Sequence, residues 1–241
     1  SAASDVYKRQ VYNRVLNSNE VLQIHNSYLN QVPTIISNGG GGSASENVLE
    51  NQTAVTTVSA TDPDAGTTIT YSISGGADGG KFNINANTGV LTFKNAPNYE
   101  SPTDSGANNS YVVKVRASDG ALHDEQTITV NVTNVNESPS IASNGGGASA
   151  SKSVSENQTA ATTVTASDPD AGTTITYSIT GGADGGKFNI NANTGVPIFK
   201  NAPNYENPDD SGANNSYVVK VRASDGALHD EQTITVNVTN V

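Results

Sequence analysis

Residues 48–135 and 154–241 align without a gap at an offset of 106, and 79 of the 88 aligned positions are identical. A period of about 100 residues is one whole β-sandwich domain and is too long for a solenoid repeat. The chain therefore reads as copied domains in series. Its function must be one that a string of such domains can perform, as a spacer, an adhesive stalk or a ligand-binding rod. An enzyme with a single active site is rarely built this way.

The length of 241 residues fits two such domains, 33–138 and 139–241, behind a short leading segment. Only 34% of the chain is apolar and 5% aromatic, so each core must rely on Val, Ile, Ala and a few Tyr and Phe. The apolar residues alternate, which separates the chain from a disordered one. A net charge of −11 argues against nucleic acid or an anionic membrane as a partner and suits a chain that binds cations. Cysteine is absent, and Thr, Ser, Asn and Gly dominate, a composition typical of bacterial surface proteins. No run of 18 apolar residues exists, so direct membrane insertion is not expected. Methionine is absent as well, and the chain reads as an internal fragment of a longer protein. Its first ten residues, SAASDVYKRQ, look like a translated sequencing adapter and are set aside from fold reasoning. Residues 11–32 match neither repeat; because Pro33 aligns with Pro139, they read as the remnant of a preceding domain, with 21–28 as its candidate last strand.

Within the first repeat a period of two marks the strands. Residues 68–74 place Ile69, Tyr71 and Ile73 on one face, and 111–118 place Tyr111, Val113, Val115 and Ala117 inward with Lys114 and Arg116 outward. Residues 126–133 turn Ile128, Val130 and Val132 inward. Shorter strands are expected at 55–60, and at 82–85 and 90–93 around the turn Asn87-Thr88-Gly89, with a first strand near Val48. The glycine runs 39–42 and 145–147 read as flexible loops in the first-strand region. The fold class is all-β, as tandem seven-stranded Ig-like sandwiches. In the second repeat Leu91 becomes Pro197, which removes a ladder donor and implies an edge strand, a bulge or a less stable copy.

The acids cluster in five short motifs: Glu50-Asn51, Asp62-Pro63-Asp64, Asn98-Tyr99-Glu100, Ala117-Ser118-Asp119 and the linker Asn134-Val135-Asn136-Glu137-Ser138-Pro139. The second copy repeats them as Glu156-Asn157, Asp168-Pro169-Asp170, Asn204-Tyr205-Glu206 and Ala223-Ser224-Asp225. Any one of them could be a solvated turn, because Asp and Asn favour turns through local hydrogen bonds.

The ordered set, over 33–241, resembles the cadherin repeat, and its short linker and Thr/Asn/Gly-rich sequence look most like the cadherin-like repeats of large bacterial surface proteins. The resemblance implies an extracellular module at the cell surface, Ca2+ as the bound ion, and cell adhesion, including contact between identical chains or with another surface protein. It also implies a ligand set where the first repeat meets the second: Glu50, Asn98 and Glu100 from repeat one, Asn134, Asn136 and Glu137 from the linker, and Asp168, Asp170 and Asp225 from repeat two. Calcium takes about 6–8 oxygens, which one loop rarely supplies and converging loops can. Six clustered carboxylates would repel without metal, and a stiffened linker is expected with it. The chain departs from the family at Asn98 and Asn134, where an acid is usual, and each change removes one negative charge. The upstream linker, Leu29-Asn30-Gln31-Val32-Pro33, carries no acid, so Asp62, Asp64 and Asp119 face a poorer site.

Catalysis is not expected. His123 and His229 sit in Gly-Ala-Leu-His-Asp-Glu, but no nucleophile accompanies them and no second His lies in either repeat. Two other readings remain beside the calcium-stiffened adhesin. One is a metal-independent spacer that presents a binding domain outside this fragment. The other is a carbohydrate-binding sandwich, which the lack of Trp does not favour.

Overall fold

A computed structural model describes residues 17–21 and 29–241. The adapter-like segment 1–10 and most of the leading segment, including 22–28 of its candidate strand, lie outside the described residues. Val21 belongs to a single helical turn. The chain divides into two compact units, Ser1–Asn134 and Val135–Val241.

The first unit contains β1 (Thr34–Ile35), β2 (Ser43–Leu49), β3 (Ala54–Thr57), β4 (Ala60–Thr61), β5 (Thr70–Gly75), β6 (Phe82–Ile84), β7 (Val90–Phe93), β8 (Ser110–Ser118) and β9 (His123–Thr133). The first two of the seven expected strand paths are each broken in two. β1 pairs with β4, whereas β2 crosses over to pair in parallel with β9. One sheet runs β2-β9-β8-β5 and the other β3-β7-β6.

The crossover between β1 and β2 is the glycine run. Asn38, Gly39, Gly40 and Gly41 all have positive φ, at 53°, 82°, 68° and 73°, a path that glycine follows without Cβ strain. The loop is tied down rather than flexible. Gln126, fully buried on β9, donates from Nε2 to Gly41 O at 3.1 Å, and Thr56 Oγ1 donates to Asn38 Oδ1 at 2.9 Å.

The core forms where the two sheets face each other. Tyr111, Val113, Val115 and Ala117 of β8 and Ile128, Val130 and Val132 of β9 are buried with Phe82, Leu91 and Phe93 of the second sheet. Phe93 stacks on Phe82 at 4.5 Å and meets Tyr111 edge-on at 5.1 Å. Ile69, Tyr71 and Ile73 are only partly buried against this core, and Tyr71 uses its hydroxyl to accept the Ala60 N–H at 3.0 Å. Gly89 must be glycine: φ is +68° and a Cβ would stand 2.0 Å from Val58 O.

The second unit repeats this plan with β10 (Ser140–Ile141), β11 (Ser149–Ser155), β12 (Ala166–Ser167), β13 (Thr176–Gly181), β14 (Phe188–Ile190), β15 (Pro197–Phe199), β16 (Ser216–Ser224) and β17 (His229–Thr239). Its larger sheet runs β11-β17-β16-β13. The copy differs where the proline falls. β7 is the central strand of its three-stranded sheet, whereas β15 pairs only with β14. On the other side there remains one isolated bridge, Ala160 to Ile198, flanked by a bond from Phe199 N to Thr159 O at 2.8 Å and a longer one from Ala161 N to Pro197 O at 3.4 Å. Pro197 has thus made an edge out of a strand that the fold otherwise places in the middle.

Candidate functional site

The acids of the first unit's C-terminal end are set by strand ends. β2 stops at Leu49, Glu50 N donates to Thr133 O at 3.1 Å, and Asn51 reverses the chain at φ 62°. This left-handed turn, which asparagine tolerates well, turns the Glu50 side chain inward, where Oε2 accepts the Tyr99 N–H at 2.7 Å. Glu50 is 3% exposed, and a carboxylate oxygen of Glu50 lies within 4.8 Å of one from Glu100. Asn98 is committed to its own loop, with Oδ1 accepting Ser101 N–H at 2.6 Å. Asn134 follows the last residue of β9 and is exposed.

The second unit's N-terminal end gathers the linker and two loops. Glu137 N donates to Asp170 Oδ2 at 2.8 Å, and Asp170 N donates to Asp168 Oδ1 at 2.9 Å. Asn136 Nδ2 donates to Asp225 Oδ2 at 2.7 Å, while Asp225 Oδ1 accepts the N–H groups of Ala227 and Leu228, each at 2.6 Å. The Asn136 amide, followed by those N–H groups, holds the Asp225 carboxyl below its ordinary range. Asp168 Oδ2 is buried and has no hydrogen-bond partner.

The matching ends show what the scaffold does alone. At the start of the first unit Gln31 N donates to Asp64 Oδ2 at 2.6 Å, Asp64 N to Asp62 Oδ1 at 2.8 Å, and Asn30 Nδ2 to Asp119 Oδ2 at 2.8 Å. The frame is the same, with neutral Gln31 in the place of Glu137, and Asp62 Oδ2 is likewise buried without a partner. At the end of the second unit Glu156 accepts Tyr205 N–H at 2.9 Å and Val241 N–H at 3.3 Å.

The donor set suits a hard cation. It offers only carboxylate and amide oxygens, and the unpartnered Asp168 Oδ2 is an acceptor that burial alone would disfavour.

Other acids, which the motif reading passed over, are structural. Asp78 is buried and accepts Ser105 N–H at 2.6 Å and Val112 N–H at 2.9 Å. Asp104 is buried and accepts the N–H groups of Gly106, Asn108 and Asn109 at 2.9–3.1 Å. Burial pushes the Asp104 carboxyl up, but these donors outweigh it and hold it below the ordinary value. The run Asp104-Ser105-Gly106-Ala107-Asn108-Asn109 is itself a turn-forming sequence and could have signalled this role. Nothing local marks Asp78, whose donors lie 27 and 34 residues away.

The family model for the cadherin domain matches residues 42–133 and 150–239. Protocadherin Fat 1 of Homo sapiens is 32% identical over 208 residues, 80% of this chain and 4% of that protein. The protocadherin-like wing polarity protein stan of Drosophila melanogaster is 34% identical over 211 residues, 81% of this chain and 6% of that protein. The chain thus spans a small part of the relatives it matches. Among solved structures, human Protocadherin-24 EC1-2 shares the fold with a TM-score of 0.56 and 20% identity, covering 87% of this chain and 98% of that one. Human CDH23 EC21-23 does so at 0.51 and 21%, covering 87% and 70%. Among the described residues no helix is long and apolar enough to cross a membrane. Two sandwiches, each matched by the same family model over nearly its whole length, carry the conclusion: the chain belongs to the cadherin-domain family and consists of extracellular, non-enzymatic repeats of the kind found in adhesion proteins.

Proposed function

We propose that these repeats are a calcium-binding adhesion and stalk segment of a larger cell-surface protein. Ions would be held where repeat one meets repeat two, by Glu50, Asn98, Glu100, Asn134, Asn136, Glu137, Asp168, Asp170 and Asp225. The observation that carries this reading is Asp168 Oδ2, a buried carboxylate oxygen with no donor, beside an Asp170 that already orients the linker through Glu137 N–H. The proximity of the Glu50 and Glu100 carboxylates supports it, because two like charges so close favour a bound cation.

Calcium would supply the positive charge that relieves this repulsion and would restrain the linker. The chain's own groups do the rest. Backbone N–H donors aim Glu50, Asp170 and Asp225, and the Asn136 amide holds the linker against Asp225. A stiffened array would project an adhesive contact, with an identical chain or another surface protein as partner. Composition, above all the lack of cysteine, favours a bacterial surface protein as the parent.

Thermal unfolding of the whole chain, with millimolar calcium and with a chelator, tests the proposal. A ligand at about 100 times its dissociation constant adds about 2.7 kcal/mol to the state that binds it. A clear rise in melting temperature with calcium, lost in Asp168→Ala/Asp170→Ala, is expected. Coincident melts would reduce the chain to a metal-independent spacer.

A further inference from the structure

The near-identity of the two units makes one substitution informative. Thr103 in the first unit is Asp209 in the second. Asp209 Oδ2 accepts Lys187 Nζ at 2.8 Å, and its Oδ1 accepts the Tyr217 hydroxyl at 2.7 Å. The second unit thus sets a carboxylate between an ammonium and a phenol, on the wall of a cleft of about 210 Å³. The matching cleft of the first unit measures about 470 Å³ and is lined by the equivalent Lys81, Lys94, Phe93 and Tyr111.

Its frame is the same. Lys81 N donates to Asp78 O at 2.8 Å as Lys187 N does to Asp184 O at 2.9 Å, and Lys94 and Lys200 each donate from Nζ to a glycine carbonyl at 2.6 Å. What is missing is the carboxylate. Lys81 forms no ion pair among the described residues, and the Tyr111 hydroxyl has only Thr103 Oγ1 at 3.4 Å as an acceptor for its proton, too long for a good O–H···O bond.

We propose that the first unit's cleft binds an acidic sugar, a hexuronic acid unit, whose carboxylate takes the place that Asp209 fills in the second unit. The volume is within the range of small-ligand sites. Beyond the lysine and tyrosine the walls carry Asn95 and Ser101, which can pair with sugar hydroxyls. In the second unit Asp209 already engages the lysine and the phenol, so that cleft is expected not to bind.

Glucuronate titration of the whole chain by amide NMR, in chelator so that calcium plays no part, tests this, with glucose and acetate as controls. Saturable shifts are expected at 80–81, 93–96, 101 and 103, with neither control matching glucuronate. Thr103→Asp, which installs the residue the second unit already carries, should abolish them without lowering the melting temperature. Lys81→Gln should weaken binding by about tenfold, the scale of one charge-assisted hydrogen bond. Asp209→Thr should add a second set of shifts at 186–187 and 199–201. Absent shifts, shifts that persist in Thr103→Asp, or equal binding of either control would overturn the proposal. Displacement of glucuronate by an equimolar acidic peptide would overturn the assignment to a sugar.

Discussion

Single carboxylates in this protein do three different jobs, and partners separate them. Glu125 lies between Lys114 at 2.5 Å and Arg116 at 2.8 Å, and these donors, Lys114 first, pull its carboxyl down from 4.5 to about 2. Glu231 is pulled down to about 2 in the same way by Lys220 and Arg222. A depressed folded-state value contributes stability above the unfolded one and loses it as pH falls through the folded one. Carboxyl NMR titration should therefore find both midpoints near 2, with the associated stability intact above pH 4.5 and lost progressively on the way down to 2. Asp104 is a loop staple, and Asp104→Ala leaves several N–H groups unpaired; a loss of about 2 kcal/mol in chemical denaturation is expected. Asp168 belongs to neither class, because one of its oxygens is buried with no partner at all. The Glu-Asn and Asp-x-Asp patterns made Glu50 and Asp168 visible in the sequence. The Tyr99 N–H that aims Glu50 was not visible, being 49 residues away.

The strand elements were legible where their faces differ. β8 and β9 alternate cleanly between buried and half-exposed residues, as their Val and Ile positions require. The first two strand paths hid their breaks, because a switch between sheets changes pairing partner without changing the period of two. The parallel pairing of β2 with β9 was hidden for the same reason: the seven residues from Ser43 to Leu49 mix Ser, Ala and Asn with only two strong apolar positions. The proline acts at this scale. Pro197→Leu should restore pairing beside β15, seen as slower hydrogen exchange around 160–163, and should stabilise the second unit by about 1 kcal/mol. The reverse change, Leu91→Pro, removes a fully buried side chain and a ladder donor from a central strand, and a loss of about 3 kcal/mol in denaturant unfolding is expected.

At the scale of the whole molecule, two nearly identical units differ in one sheet, so their stabilities should differ. Calorimetry in chelator should resolve two transitions, the lower one belonging to the second unit. A gap of about 1 kcal/mol would separate them by roughly 4–8 °C, and Pro197→Leu should close it. The net charge of −11 adds repulsion that monovalent salt would screen, so both transitions should rise modestly with ionic strength. The sequence by itself determined the copy number, the all-β class, the inward faces of the longer strands and the positions of the acidic motifs at strand ends. Each of these follows from periodicity or turn chemistry, which act between near neighbours. Only the tertiary structure decided which sheet each half-strand joins, that Pro197 opens an edge, that Asp78 staples a loop, and that Asp168 keeps an unpartnered oxygen. Those outcomes depend on donors and strands tens of residues apart in the chain, and nothing in a local stretch of sequence encodes which distant N–H a carboxylate will meet.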